Sequence, residues 1–236
     1  MIKPFFLQIT VASDTAAAAQ GAEEIATTGT LSVLDLIAGG GIFIMGPLGI
    51  LSVIAIYIFI ERFLAIQKAQ SLDPSFMNKM KDFIHEGKMQ SAQELCKKTT
   101  TPFARMLLKG VNRIGKPLGD ISASIENVGK LEIYNLEKSL STLATIAGAA
   151  PMIGFLGTVI GMINTFHEMY SAGNSVEISN LSGGIMQAMV TTASGLVIGI
   201  IAYVGYNTLV AKVDKVVHKM EATSIEFMDL LQEPIK

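Results

Sequence analysis

Two charge-free stretches of this chain are rich in small residues: residues 148–166, GAAPMIGFLGTVIGMINTF, and residues 183–207, GGIMQAMVTTASGLVIGIIAYVGYN. Each is long enough to cross a bilayer, which takes about 20 apolar residues at about 1.5 Å of rise apiece. Both are rich in Gly, Ala, Ser and Thr, whereas a helix meant only to face lipid would be mostly Leu, Ile and Val. Lipid offers no hydrophobic drive for helices to associate, so association there depends on the close backbone approach that small residues permit. Gly157-xxx-Gly161 and Gly195-xxx-Gly199 therefore read as contact faces, with Pro151 and Gly154 assigned to the same packing role. These faces are expected to serve assembly of the oligomer.

The rest of the chain follows the same partition. Half of its 236 residues are hydrophobic and 16% are charged. Three charge-free windows, 41–60, 143–166 and 184–210, hold the apolar residues, and the charges gather between 61 and 138 and again after 211. The first span, from about Ile42 to Ala65, is aliphatic on nearly every face and is expected to face lipid, with Ala55 tolerant of a larger side chain. Glu61-Arg62 closes it. Of 18 lysines and arginines, thirteen lie between Arg62 and Lys138, four lie after Ala211, and none lies between Asn164 and Gly183. The excess of positive charge on cytosolic segments fixes the orientation. The fold class is all-α integral membrane, three transmembrane helices with long cytosolic helical extensions and a helical cytosolic insert. The divisions are an external N-terminal segment 1–40, spans 41–66, 143–166 and 184–210, a cytosolic helical domain 67–142, an external loop 167–183 and a cytosolic C-terminal helix 211–236. Phe5 to Ala12 followed by Ala16 to Ala19 imitates a signal peptide, but Gln8 and Thr10 break the apolar core. A weakly ordered or interfacial segment is preferred to cleavage there.

The insert is helical in pattern. Asp73-Pro74 and Thr101-Pro102 each look like an N-cap followed by proline at the first helical position, and Gly87 and Gly115 mark stops. Asp120 is placed to cap a helix whose apolar positions run from Ile121 to Leu143 and on into the second span. One rod over 121–166, about 70 Å long, is expected, with Pro151 as the site of any kink. Val213, Val216, Val217, Met220, Phe227 and Leu231 continue the third span as an amphipathic helix.

No catalytic constellation emerges. His85, His167 and His218 are scattered and hold no metal-ligand spacing. A lone Cys96 excludes an intramolecular disulfide and any multi-cysteine metal site. The Gly39–Gly41 run leads into Ile42 and Phe43, not into the Gly-Lys-Ser/Thr of a phosphate loop. There is no basic stripe with interleaved aromatics to suggest nucleic acid. The chain reads as neither an enzyme nor a cofactor protein. The polar residues inside the spans say more, because a polar group in hydrocarbon normally turns toward protein or water. Thr158 and Thr165 lie seven apart on the second span. Gln187, Thr191 and Ser194 lie at i, i+4 and i+7 on the third, with Thr192 beside them, so each span has a polar stripe. Two readings stand: hydroxyls that bond their own helix carbonyls and glue neighbouring helices, or the lining of a pore. These spans carry no group that changes charge, so a conducting path would need a carboxylate from another chain.

Ala150-Pro151-x-x-Gly154-x-x-Gly157-Thr158-Val159-x-Gly161-Met162, followed by Gly184-Ile185-x-x-Ala188-x-x-x-Thr192-Ala193-x-Gly195-Leu196 and preceded by Glu61-Arg62, resembles the MotA/TolQ/ExbB proton-channel family. The three-span layout resembles the ExbB and TolQ branch. The resemblance implies a bacterial inner-membrane protein with a periplasmic N-terminus and loop. It implies a homopentamer enclosing the single-span helices of a partner resembling ExbD or TolR, whose membrane aspartate carries the proton, with work delivered to a TonB-like protein for outer-membrane uptake. Thr158 and Thr192 match the family's pore threonines. The ExbB pattern has a glutamate where this sequence has Gln187, which leaves the partner's aspartate as the titrating group. A TolQ-like or gliding-motor role is the alternative within the family, and a static membrane scaffold the alternative outside it.

The orientation is directly testable. In a Cys96→Ser background, Ser175→Cys should react with an impermeant thiol reagent in intact spheroplasts and Ser91→Cys should not; labelling of Ser91→Cys would overturn the topology.

Overall fold

The computed structural model describes residues 41–71, 75–173 and 178–232, all within one contact-dense unit, Val33–Lys236. The N-terminal segment, the Asp73-Pro74 cap and residues 174–177 of the expected loop lie outside the described residues. Every regular element among the described residues is an α-helix: α1 Ile42–Gln70, α2 Ser75–His85, α3 Met89–Lys98, α4 Pro102–Val111, α5 Leu118–Glu137, α6 Leu140–Ala172 and α7 Ile178–Gln232. Three helical stretches, Ile42–Gln70, Leu118–Ala172 and Leu181–Gln232, are long and apolar enough to cross a membrane.

The longest helix organises the rest. α7 runs 55 residues, about 80 Å at 1.5 Å per residue, carrying the third apolar stretch and the amphipathic tail without a break. Its apolar half lies antiparallel to α6. Its charged half presents Leu209, Val213, Val216, Met220 and Phe227, all buried, to the shorter helices. α1 runs parallel to α7. Gly205 approaches the Phe59 ring, and Gln70 Nε2 donates to the Lys212 carbonyl at 3.2 Å.

The shorter helices form a compact layer on that spine. Phe103 and Leu107 of α4 and Ile121 and Ile125 of α5 are fully buried with Phe227 of α7. Burial of such side chains contributes about 1.5–3 kcal/mol each. A Cβ on Gly110 would lie 2.6 Å from the Ile125 side chain and 2.8 Å from Phe227, so α4 approaches α5 and α7 at the limit of contact. Arg105 of α4 forks onto Glu132 of α5 at 2.7 and 2.5 Å, which compensates a carboxylate that is otherwise buried. That carboxylate also raises the Arg105 pKa, so the cation is locked in. Cys96 is buried in the same layer, and burial pushes its thiol up to about 12. It therefore stays protonated and unreactive.

Thr101 caps α4, its side chain accepting from the Ala104 amide, with Pro102 in the first turn. Gly87 and Gly115 adopt positive φ, 69° and 97°, just beyond the ends of α2 and α4. Other expectations need correction. Asp120 lies in the first turn of α5, and Pro117 occupies the cap. The expected rod over 121–166 is interrupted, and not at Pro151, which sits inside an unbroken α6. The interruption is at Lys138-Ser139, where Lys138 is extended and Ser139 adopts φ 68°. The Arg62 guanidinium donates to the Asn135 carbonyl at 3.0 Å, satisfying an acceptor that the end of α5 leaves open. Ala55 is buried, 6% exposed, so α1 is not lipid-facing all round: Leu48, Ala55 and Ile58 form its packed side, while Val53, Ile56 and Ile60 form its open side.

Candidate functional site

Small residues recur along α6 at positions 150, 154, 157 and 161, and along α7 at 188, 195 and 199. Because the helices are antiparallel, each step of about four residues up one is matched by a step of about four down the other. Gly161 meets Ala188, Gly157 meets Thr191, Gly154 meets Gly195, and Pro151 meets Gly199. Any side chain here would collide with the main chain or a side chain of the facing helix. A Cβ on Gly195 would lie 2.6 Å from the Ala150 carbonyl oxygen and 2.9 Å from the Gly154 Cα, and one on Gly154 would lie 2.9 Å from the Thr191 carbonyl oxygen. On Gly161 it would lie 2.9 Å from the Ala188 Cβ, and on Gly199 2.5 Å from the Pro151 ring. The glycine faces expected to serve contacts between subunits thus meet each other within one chain, since a helical hairpin supplies the nearest partner for each.

This seam sorts the hydroxyls. Thr165 and Thr191 are buried, 4% and 1% exposed. Thr165 donates to the Gly161 carbonyl at 2.8 Å and Thr191 to the Ala188 carbonyl at 2.7 Å. They also fill space against glycines, Thr165 against Gly184 and Thr191 against Gly157. Both therefore serve packing. Thr158 and Thr192 are half-buried at the rim of the seam and hydrogen-bond to each other across it. Each also lies within reach of the Gly154 carbonyl, Thr192 at 3.1 Å and Thr158 at 3.4 Å. The remaining stripe members are not gathered with them: Gln187 is exposed and leans toward Gly41, and Ser194 is half-buried.

The donor inventory of the threonine pair determines its chemistry. Each hydroxyl has one proton and two acceptor lone pairs. When Thr192 donates to the Gly154 carbonyl and Thr158 donates to Thr192, both protons are engaged and three lone pairs remain. In that arrangement the pair accepts from a water, a hydronium or a protonated carboxyl. A bare carboxylate is bonded only after a hydroxyl turns out of one of these bonds. Among the described residues no group of three His, Cys, Asp or Glu side chains comes together.

Sequence reasoning assigned packing to Pro151 and to the glycines at 154, 157, 161, 195 and 199; Ala150, Gly184 and Ala188, which complete the seam, entered only through the motif that carries the family resemblance. Their signal was present as small residues continuing the same helical face at steps of three and four, 184, 188, 191, 195 and 199.

A family model described as the MotA/TolQ/ExbB proton channel family matches residues 98–222, more than half of the chain and including α5, α6 and most of α7. An ExbB homolog of Methanothermobacter thermautotrophicus, named as a biopolymer transport protein, is 25% identical over 80% of this chain and 67% of its own length. The ExbB-like 1 protein of Synechocystis is 28% identical over 78% of this chain and 73% of its own. The Tol-Pal system protein TolQ of Pseudomonas aeruginosa is 30% identical over 44% of this chain and 45% of its own.

The seam makes a position-specific prediction. Gly195→Ala should lower the thermal stability of the purified protein, because the added methyl overpacks two backbones at a cost of about 1–3 kcal/mol. Gly148→Ala, on α6 with open space around it, should be neutral or slightly stabilising through helix propensity. Equal shifts in melting temperature would contradict the seam.

Proposed function

The chain belongs to the MotA/TolQ/ExbB proton channel family, and from that premise we propose that it is an inner-membrane motor subunit of the ExbB type, which lets protons pass and couples their passage to movement of an enclosed partner. The proposed assembly is a homopentamer around single-span helices resembling ExbD or TolR. The partner supplies the membrane aspartate, and a TonB-like protein receives the work. The charged layer α2–α5 and the second half of α7 lie in the cytosol in this reading, and the N-terminus and the α6–α7 turn lie in the periplasm.

The observation that carries this reading is the Thr158–Thr192 pair, hydrogen-bonded across the seam with the Gly154 carbonyl within reach of both hydroxyls. A partner carboxyl that arrives protonated donates its O–H to a free threonine lone pair and is held. Once it gives up its proton it becomes a carboxylate, which is bonded only at the expense of a hydroxyl's bond to Gly154 or to the other threonine, and the contact weakens. Protonation and position are thereby linked: the pair favours the protonated partner, and deprotonation on the cytosolic side releases it. Such a link can shift an equilibrium only by the difference in affinity between the two states, and the bond that a carboxylate must displace supplies that difference. Gln187, exposed and unable to titrate, contributes polarity to the path without relaying charge. Thr165 and Thr191 hold the seam in register and do not line the path.

Val has nearly the shape of Thr and lacks the hydroxyl. Thr158→Val and Thr192→Val should leave expression and oligomer size intact and cut proton-driven transport about tenfold or more, the size of one lost hydrogen bond in a low-dielectric site. Thr158→Ser should retain most of the activity. Wild-type transport by the assembled valine variants would show that the hydroxyls only glue the helices.

A further inference from the structure

The interruption between α5 and α6 opens a cleft of about 580 Å³ against α7, within the size range of small-ligand sites. Tyr134, Glu137 and Lys138 form one wall, and Tyr206 and Asp214 of α7 form the other, over a floor that includes Leu140 and Val210. The left-handed Ser139 lies at its edge. Both walls change character in the same direction. Along α7 the lining passes from Tyr206 and Val210 to Asp214. Along the other wall it passes from Leu140 to Lys138 and Glu137. The apolar end of the cleft therefore adjoins the charge-free spans and the charged end adjoins the cytosolic layer. Glu137, Lys138 and Asp214 make no ion pair among the described residues, and no side-chain hydrogen bond engages them or the two tyrosine hydroxyls. Tyr134, Glu137, Lys138 and Asp214 are exposed and need none for folding; Tyr206 is half-buried. Three charges and two phenols thus converge, uncommitted to one another, where both spans leave the hydrocarbon.

We propose that this cleft binds the head group of a phospholipid of the cytosolic leaflet, and that the head group carries both a phosphate and a primary ammonium, as in phosphatidylethanolamine. Lys138 donates to the phosphate. Glu137 and Asp214 accept from the ammonium. The glycerol and upper acyl carbons lie against Leu140, Val210 and the Tyr206 ring, as aromatic residues commonly do at this depth. Two carboxylates against one lysine leave the lining with net negative charge, which disfavours an anionic lipid such as phosphatidylglycerol. A quaternary ammonium has no N–H to give the carboxylates, which disfavours phosphatidylcholine. The proposal rests on the membrane reading above, because it needs the cleft at head-group depth.

The test is lipid retention by the intact protein, released from nanodiscs containing equal parts of phosphatidylethanolamine, phosphatidylglycerol and phosphatidylcholine and weighed by native mass spectrometry. Wild-type protein should retain phosphatidylethanolamine over each competitor by about threefold to tenfold, the range that two exposed charge pairs supply. The Glu137→Gln/Asp214→Asn double variant should lose that preference. Lys138→Gln should lower retention of phosphatidylethanolamine and phosphatidylglycerol alike. All are surface substitutions, and an unchanged melting temperature and oligomer mass confirm the fold. Retention that survives excess soluble phosphoethanolamine supports the lipid as occupant, whereas displacement by it contradicts that. Equal retention of the three lipids by the wild type, or a double variant that keeps its preference, would overturn the proposal. A protein that fails to enter nanodiscs at all would overturn the membrane reading with it.

Discussion

The backbones of α6 and α7 approach so closely that a single methyl group at Gly154, Gly195 or Gly161 would meet main chain or a neighbouring methyl. In lipid this contact does not arise from the hydrophobic effect, since acyl chains are as apolar as the side chains they replace. It arises from dispersion between surfaces that match along their whole length. The constraint propagates. It fixes the register of an antiparallel hairpin and aligns the Gly154 carbonyl with the hydroxyls of both helices. Because α7 is continuous, it also sets the position of the charged half of that helix. The layer α2–α5 then packs on a spine whose orientation is determined some tens of ångströms away.

The same seam explains why hydroxyls of one chemical type have two roles. Thr165 and Thr191 point into the contact, where a buried hydroxyl needs a partner, and each finds one on its own helix within 2.8 Å. Thr158 and Thr192 sit one step toward the rim, half-buried, where they bond to each other and keep lone pairs free. A polar group at that position avoids the cost of isolation in hydrocarbon and remains available to a visitor. The proposed function uses this division: the pair changes no charge of its own, and with Gln187 unable to titrate the proposal assigns the proton to the partner.

Much of this was legible in the chain. Charge-free windows located the spans, and Thr101-Pro102, Gly87 and Gly115 marked helix ends for the local reasons they usually do. What escaped was relational. Hydrophobic spacing continues smoothly from Ile121 to Leu143, so nothing in the period announces Ser139; beside the break, Arg62 of another helix reaches the Asn135 carbonyl. Asp120 has the chemistry of a cap, but Pro117 begins α5 three residues earlier. Ala55 looks like one more apolar residue in an aliphatic helix, and only the position of α1 beside α7 makes it a contact. Periodicity grouped Gln187, Thr191 and Ser194 as one stripe, yet a stripe lies on a face about 100° wide, and the seam's edge runs through it. Which hydroxyl is inside and which at the rim depends on the partner helix, a property of the pair of helices.

The central claim is that Thr158 and Thr192 act as one acceptor unit held by the Gly154 carbonyl. A double-mutant cycle on proton flux, measured in proteoliposomes carrying the protein with its single-span partner, tests it most directly. If the two hydroxyls are one unit, the Thr158→Val/Thr192→Val double variant conducts as well as the worse of the two single variants. If they act independently the two losses multiply, and that result would contradict the account.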